Sequence, residues 1–293
     1  MNEEKKLIIG FPKGSLEKAT YDLFAKAGYK ISVSSRSYYP TIDDKEMKGI
    51  LIRSQEMSRY VENGNMDCGL CGKDWILENN SDVVDVCELM YSKQTANPVK
   101  WVLAVHEDST YNCAEDLDGK TIATEAVGMT RRFFEEKNVK VNVEFSWGAT
   151  EVKCPNLVDA IVELTETGSS LRANRLKIID ILTISTTRFI ANKEAWADEW
   201  KREKIEHLAM LLKGALRARN KVGLKMNVPE KNLDEIVGIL PCLKEPTVSH
   251  LRNSDWLAIE VVVDEKIVRE IIPKLKKLGA SGIIEYALNK VIP

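Results

Sequence analysis

Asp159 to Leu171 reads D-A-I-V-E-L-T-E-T-G-S-S-L, and how this stretch folds decides how the chain is laid out. Its first half, apolar with acidic residues at 159 and 163, reads as the end of a helix over Leu157–Thr165. Its second half gathers hydroxyls and backbone amides around Gly168. That composition suits a phosphate, because glycine allows close backbone approach and the hydroxyls and N–H groups are neutral donors. Asp159 and Glu163 stand four apart, which on a helix puts both carboxylates on one face. Carboxylates do not bind phosphate, but they hold sugar hydroxyls, or a Mg2+ ion that the phosphates also touch. The pairing points to a phosphorylated sugar. The plain alternative is an ordinary helix end and turn, since T-G-S is common in loops.

Outward from this stretch, short apolar runs alternate with helical ones. Lys6–Gly10 (K-L-I-I-G) is a buried strand, followed by a glycine turn through Gly14 and a helix over roughly 15–27 with Ser15 near its N-cap. Ile31–Ser34, Gly49–Arg53, Cys68–Cys71, Trp101–Val105, Thr121–Thr124 and Val139–Phe145 read as strands, with helices near 56–64 and 130–137. Leu182–Ser185 and Thr187–Ala191 return to strand character. Such alternation implies an α/β fold with helices over mostly parallel sheets. Two lobes with the chain crossing between them would form a cleft resembling that of periplasmic binding proteins, with ligand at the strand C-terminal ends. The expected division is 1–105 with 192–220 as lobe I, 106–191 as lobe II, and 221–293 as a third domain. Lys193–Asn220 reads as a long amphipathic helix or a pair, with Trp196 and Trp200 serving a core face, an interface, or both.

The last seventy or so residues give strand Val222–Asn227, helix Pro229–Ile239, strands Thr247–Leu251 and Trp256–Val263, helix Glu265–Leu278 and strand Gly282–Tyr286. Pro229 suits a first helical turn. This β-α-β-β-α-β order is that of a ferredoxin-like module. Helix 265–278 places Ile267, Val268, Ile271, Ile272 and Leu275 on one stripe, with Lys274, Lys276 and Lys277 largely outside it.

At 293 residues the chain can bury a large core across two or three domains. The 42 basic and 44 acidic residues leave a net charge of −2, so no global field points to nucleic acid or to anionic lipid. No apolar run approaches the ~20 residues needed to cross a bilayer, and the N-terminus lacks the pattern of a secretory signal. A cytoplasmic protein with reduced thiols is the default expectation. Cys68-Gly-Leu-Cys71 has C-x-x-C spacing, but no second pair or histidine spacing completes a zinc site. Both cysteines read as small core residues.

Gly148–Glu151, the stretch from Asp159 to Leu171, and Arg172–Leu176 together resemble the phosphoribosyl pyrophosphate loop of the ATP phosphoribosyltransferase family, which begins histidine biosynthesis. The resemblance extends to Pro12–Leu16, Met66–Asp74, Gly119–Glu125, Glu245–Val248 and Leu278–Ile283, in the family's order and spacing. It implies transfer of the phosphoribosyl group from phosphoribosyl pyrophosphate to N1 of the adenine of ATP, with Mg2+ neutralising the pyrophosphate that leaves. The C-terminal module resembles the regulatory domain of the family's long, histidine-inhibited form, as opposed to the short form that needs a partner subunit. A homo-hexamer is implied as well.

The resemblance also assigns residues. Thr165, Glu166, Thr167, Gly168, Ser169, Ser170 and Leu171 would hold the 5′-phosphate. Asp159 or Glu163 would accept the ribose hydroxyls, and Glu151 would do likewise or meet the metal, whose ligands stay unknown. Lys13 and Arg53 end strands and suit phosphates or adenine. Asp74 is a partner for Arg53 or for substrate, and Glu125 shares the strand-end position. Asn227, Leu243, Thr247 and Gly282 match the histidine-binding positions. Two departures stand out: short-form relatives usually carry Arg where Ser15 stands here, and the A-N-G-L pattern becomes Ala173-Asn174-Arg175-Leu176. Arg175 lacks a glycine's freedom at φ > 0, which puts a tight turn there in question. The rival readings are a two-lobed solute receptor or sensor, and a catalytically silent paralogue. The first usually carries a secretory signal or a DNA-binding helix-turn-helix, and retention of the loop and Lys13 argues against the second.

Overall fold

Apolar runs too short for helices become strands. In the computed structural model, which describes residues 5–34, 36–91, 98–241 and 245–292, they build two five-stranded sheets before Asn192. In chain order the elements are β1 (Leu7–Lys13), α1 (Glu17–Ala27), the short pair β2 (Ile31–Ser32) and β3 (Thr41–Ile42), β4 (Met47–Arg53), α2 (Ser54–Glu62), β5 (Cys68–Gly72), α3 (Lys73–Asn79) and β6 (Val84–Leu89). There follow β7 (Val99–His106), β8 (Thr121–Thr124), α4 (Val127–Glu136), β9 (Asn142–Phe145), β10 (Ala160–Thr165), α5 (Ser169–Ala173), β11 (Leu176–Ser185), β12 (Thr187–Ala191), α6 (Lys193–Ala197) and α7 (Glu199–Ala218). The first sheet has the order β4-β1-β5-β12-β6 and the second β11-β7-β10-β8-β9. The architecture is α/β and two-lobed, followed by a ferredoxin-like C-terminal module.

Three expectations change. Residues 157–165 are not a helix: Ala160–Thr165 is a strand, parallel to β8 and antiparallel to β7. Ala160, Ile161 and Val162 are all fully buried. A central strand covered on both faces has no alternation to betray it, so periodicity alone cannot tell it from a buried helix; six residues rich in β-branched types fit the strand. The sheets are also mixed rather than mostly parallel. β1–β4, β1–β5, β8–β9 and β8–β10 are parallel, whereas β5–β12, β6–β12, β7–β10 and β7–β11 are antiparallel. Strands that enter a sheet without a helical crossover pair antiparallel, and β11 passes into β12 across the single residue Thr186. Lastly, β7 belongs to the second sheet, so the chain crosses between Leu89 and Val99 rather than after residue 105.

Smaller adjustments follow. α1 starts at Glu17, beyond Ser15. The segment from 193 to 218 is indeed a pair of helices, with Ile205, Leu208 and Leu212 buried along α7 and Trp196 and Trp200 half-buried. Cys68 and Cys71 are fully buried, and burial raises both thiols above their ordinary range, as structural cysteines require.

Residues 26–28 and 210–293 form a second compact unit. Its sheet, from β13 (Lys221–Pro229), β14 (Thr247–His250), β15 (Trp256–Asp264) and β16 (Ser281–Ala287), has the antiparallel order β14-β15-β13-β16. Its helices are α8 (Leu233–Ile239) and α9 (Glu265–Lys277). Val222, Leu224, Met226 and Val228 share one core with Ile236, Val268, Ile271 and Leu275. Pro229 ends β13 opposite Trp256 instead of opening the helix.

Candidate active site

The parallel register of β1 and β4 sets Lys13 beside Arg53, each at a strand C-terminal end. Two cations are thereby delivered to one rim of a cleft with a cavity of about 440 Å³, a size suited to a small-molecule ligand. Glu125, at the end of β8, and Thr165 and Glu166, at the end of β10, face them from the second lobe. Gln55 and Trp75 complete the first lobe's share, and Trp101, Ser185 and Thr187 line the cavity where the chain crosses between sheets.

The T-E-T-G-S-S loop therefore connects a strand to a helix. The Gly168 N–H donates to Thr165 Oγ1 at 2.8 Å, and the Thr167 hydroxyl donates to Ser169 Oγ at 3.0 Å. Gly168 has φ +72°, a left-handed conformation that favours glycine. Leu171 is 1% exposed and packs with Val102, Ile161 and Leu176; its side chain anchors the loop to the core rather than meeting a ligand. Thr167–Ser170 continue from the cavity wall without lining it. Glu151 also stands off the lining but accepts the Ser170 hydroxyl at 2.5 Å.

The acidic pair separates. Asp159 lies at the N-terminal end of β10, about 20 Å along the strand from Thr165, and accepts the Thr121 N–H at 2.9 Å. It closes the start of β8 and is no part of the cleft. Helical spacing put it beside Glu163; strand geometry removes it. Glu163 remains near the site, with burial raising its carboxyl above the ordinary range; the Leu164 N–H and the Thr150 hydroxyl oppose that shift, and the negative charges of Glu151 and Glu125 add to it.

Asp74 is not a partner of Arg53. It is 4% exposed, and its carboxylate accepts Trp101 Nε1–H at 2.8 Å and the Ser185 hydroxyl at 2.7 Å, while its own N–H donates to Ser185 Oγ at 3.1 Å. Trp101 lies on β7 and Ser185 ends β11, so one carboxylate fastens both crossings. Glu78 of α3 accepts the N–H groups of Gly128 and Met129 at 2.8 and 2.7 Å, placing negative charge on the first turn of α4. A Cβ at Gly128 would come within 2.8 Å of the Glu78 carbonyl oxygen, which explains the glycine. Gln55 Nε2 donates to Glu125 Oε1 at 3.1 Å across the cleft. Sequence reasoning passed over Gln55, Trp75, Trp101 and Ser185; the signal available for the last was T-I-S-T-T, a polar break between two apolar runs.

In the C-terminal unit Asn227 and Gly282 do come together: a Cβ at Gly282 would lie 3.5 Å from Asn227 Nδ2. Thr247 stands opposite Glu260 on the outer strand, whereas the row of Asn227 runs through Ala258 to Ser249. Two strands and two residues separate them, about 12 Å. Leu243 lies outside the described residues.

Among the described residues no group of three or more His, Cys, Asp or Glu side chains is gathered to hold a metal ion. Mg2+ asks less of a protein, being held by one or two carboxylates with waters and substrate phosphates. Glu125 lines the cleft beside Thr165 and Glu166, and a carboxylate there is the oxygen donor that, with water and substrate phosphates, fits a cation carried in by substrate. No helix among the described residues is long and apolar enough to cross a membrane.

Residues 53–214 match the family described as HisG, ATP phosphoribosyltransferase, and residues 218–290 match HisG, C-terminal domain. An ATP phosphoribosyltransferase of Prosthecochloris aestuarii is 58% identical over 293 residues, covering 100% of both chains. That of Thermodesulfovibrio yellowstonii is 58% identical over 291 residues, covering 99% of this chain and 100% of its own. Among solved structures, the ATP phosphoribosyl transferase (HisG:HisZ) complex of Thermotoga maritima contains a chain 25% identical to this one, with a TM-score of 0.61, covering 71% of this chain and 98% of its own.

Proposed function

Since this chain belongs to the ATP phosphoribosyltransferase family, the transferases of the first step of histidine biosynthesis, we propose that its cleft joins the anomeric carbon of phosphoribosyl pyrophosphate to N1 of the adenine of ATP. The observation that carries this reading is the division of the cleft: Lys13 and Arg53 stand on one side, and Glu125 with the loop from Thr165 stands on the other. A phosphoribosyl donor has the same division, with an anionic leaving group at one end and a sugar bearing a 5′-phosphate at the other.

In this reading Thr165–Ser170 hold the 5′-phosphate through amides and hydroxyls, and Glu163 accepts the ribose hydroxyls. Glu151 steadies Ser170. Lys13 and Arg53 bind phosphate oxygens of the leaving pyrophosphate and of ATP. The adenine N1 lone pair forms the new bond to C1, and the C1–O bond breaks with its electron pair passing to pyrophosphate. The positive charge that develops on the ribose is stabilised by the acidic side chains of the second lobe. Holding both substrates in line supplies much of the acceleration, and no covalent nucleophile is required. Glu125 and Glu163 would hold Mg2+, which when bound neutralises charge on the departing pyrophosphate.

The C-terminal module is proposed to bind L-histidine near Asn227 and Gly282, with inhibition through differential affinity for two states of the enzyme. Thr247, being distant within one chain, would meet the same ligand only from elsewhere in the proposed cytoplasmic homo-hexamer. The test is adduct absorbance with ATP, phosphoribosyl pyrophosphate, Mg2+ and pyrophosphatase, with and without L-histidine. Adduct formation suppressed by histidine is the expected result. Activity indifferent to histidine removes the regulatory part, and the absence of adduct from folded protein removes the whole.

A further inference from the structure

Lys13 ends β1, and among the described residues its ammonium has no hydrogen bond or ion pair. Its partner is an aromatic face: Nζ stands 4.1 Å from the centre of the Tyr38 ring. Tyr38 is 54% exposed, on the segment between β2 and β3. Tyr38 and Pro40 are fastened to the outer edge of the first sheet. The Tyr38 carbonyl accepts the Leu51 N–H at 2.8 Å, and Pro40 packs so closely on Gly49 that a Cβ there would lie 2.6 Å from the proline Cγ. Leu51 pairs with Phe11 two residues before Arg53 pairs with Lys13, so the ring is held beside the ends of both cation-bearing strands.

We propose that Tyr38 is a positioning residue for Lys13. This rests on the reading that Lys13 binds substrate phosphate. A lysine has four rotatable bonds and, unheld, spreads its ammonium over many positions or pairs it with a nearby carboxylate. The ring confines it at the mouth of the cleft by the attraction of a cation to the negative face of the π-system. The ring takes one face of the ammonium and leaves N–H donors free on the other, so a phosphate oxygen can be bound while the contact to the ring persists. The phosphate substrate therefore meets a lysine already ordered.

The experiment compares Tyr38→Leu, which keeps an apolar side chain and removes the π face, with Tyr38→Phe, which keeps the face, each alone and combined with Lys13→Ala. Both substrates are varied in steady-state kinetics, and thermal unfolding confirms folding. Tyr38→Leu is expected to raise KM for the substrate that Lys13 engages about two- to fivefold, the equivalent of an exposed cation–π contact, with kcat little changed. Tyr38→Phe restores the wild-type KM, and the leucine effect vanishes in the Lys13→Ala background. The proposal is overturned if Tyr38→Leu matches wild type, if Phe behaves like Leu, or if the leucine effect persists without Lys13. Should Lys13→Ala itself leave both KM values and kcat at wild-type levels, the underlying reading of Lys13 fails first and takes this one with it.

Discussion

The two lobes equip the cleft in opposite ways. The first delivers Lys13 and Arg53 from the ends of neighbouring parallel strands, so their spacing is set by the sheet ladder itself. The second delivers neutral donors on a loop, backed by Glu125 and Glu163, and the loop holds its shape through its own hydroxyls and one left-handed glycine. Sheet register fixes charge where charge must stay fixed, while a loop rich in amides can wrap a tetrahedral phosphate. The difference between the lobes matters only if they are held at the correct separation. Asp74, Glu78 and Gln55 tie the first lobe to the second, as does Arg132 by donating to the Leu77 and Glu78 carbonyls.

The sharpest way to break that arrangement is Asp74→Ala. It removes the acceptor of a buried indole N–H and of a buried hydroxyl together, and each orphaned donor costs about 1–3 kcal/mol. A loss of about 2–4 kcal/mol is expected, read as a lower urea midpoint at unchanged slope. Asp74→Asn keeps one acceptor and should fall between. If both variants unfold like wild type, the two crossings are held by packing alone and the role assigned to this carboxylate is wrong.

The same residue shows where sequence reasoning succeeds and where it stops. Asp74 was legible as a strand-end residue, and so were Lys13, Arg53 and Glu125, because a strand's C-terminal end in an α/β sheet is a position one can read from apolar runs and their polar stops. Its partners were not legible: Trp101 and Ser185 are 27 and 111 residues away, and only the crossing of the chain brings them in. The two-lobed α/β plan and the ferredoxin-like module were read from element order. The mixed pairing of the sheets was hidden because a strand's direction leaves no mark on its own sequence. Asp159 failed for a different reason. The run A-I-V-E-L-T satisfies a buried helix and a buried strand equally, and the choice between periods of 3.6 and 2 decides whether Asp159 joins Glu163 or lies a strand's length away.

Glu163 sharpens the comparison from the second lobe's side. Its folded-state carboxyl is raised by burial, with the charges of Glu151 and Glu125 adding to the shift, so the folded protein holds that proton to higher pH than the unfolded chain. Stability from this group is therefore full below the unfolded carboxyl range and declines as pH rises through the raised value. Glu163→Gln removes the titration. Melting curves between pH 4 and 8 should show the variant gaining on wild type as pH rises, while its affinity for phosphoribosyl pyrophosphate drops. A constant difference across that range would mean that the burial of Glu163 is not felt as charge. Gain in stability with loss of binding is the signature of a carboxylate kept for its ligand.

Arg175 offers the smallest effect and the finest test. It stands where the A-N-G-L pattern of the family has glycine, yet the tight turn forms: Arg175 adopts φ +56°, and its carbonyl accepts the Glu107 N–H at 2.8 Å. The left-handed conformation costs a residue with a Cβ about 1 kcal/mol. Set against this, the guanidinium meets Glu107 at 2.5 Å and Asp108 at 3.0 Å. All three side chains are about half-exposed or more, so these pairs contribute little and are screened by salt. Arg175→Gly relieves the strain but loosens the unfolded chain by a similar amount, and a net change within about 0.5 kcal/mol is expected at low ionic strength. In 1 M NaCl the ion pairs fade in the wild type alone, so the glycine variant should gain relative to it. If the substitution instead costs more than about 2 kcal/mol, or weakens phosphoribosyl pyrophosphate binding, then the turn depends on the ion pairs. The second lobe would in that case hold its loop by charge, as the first lobe holds its cations by register, and the contrast between them would narrow.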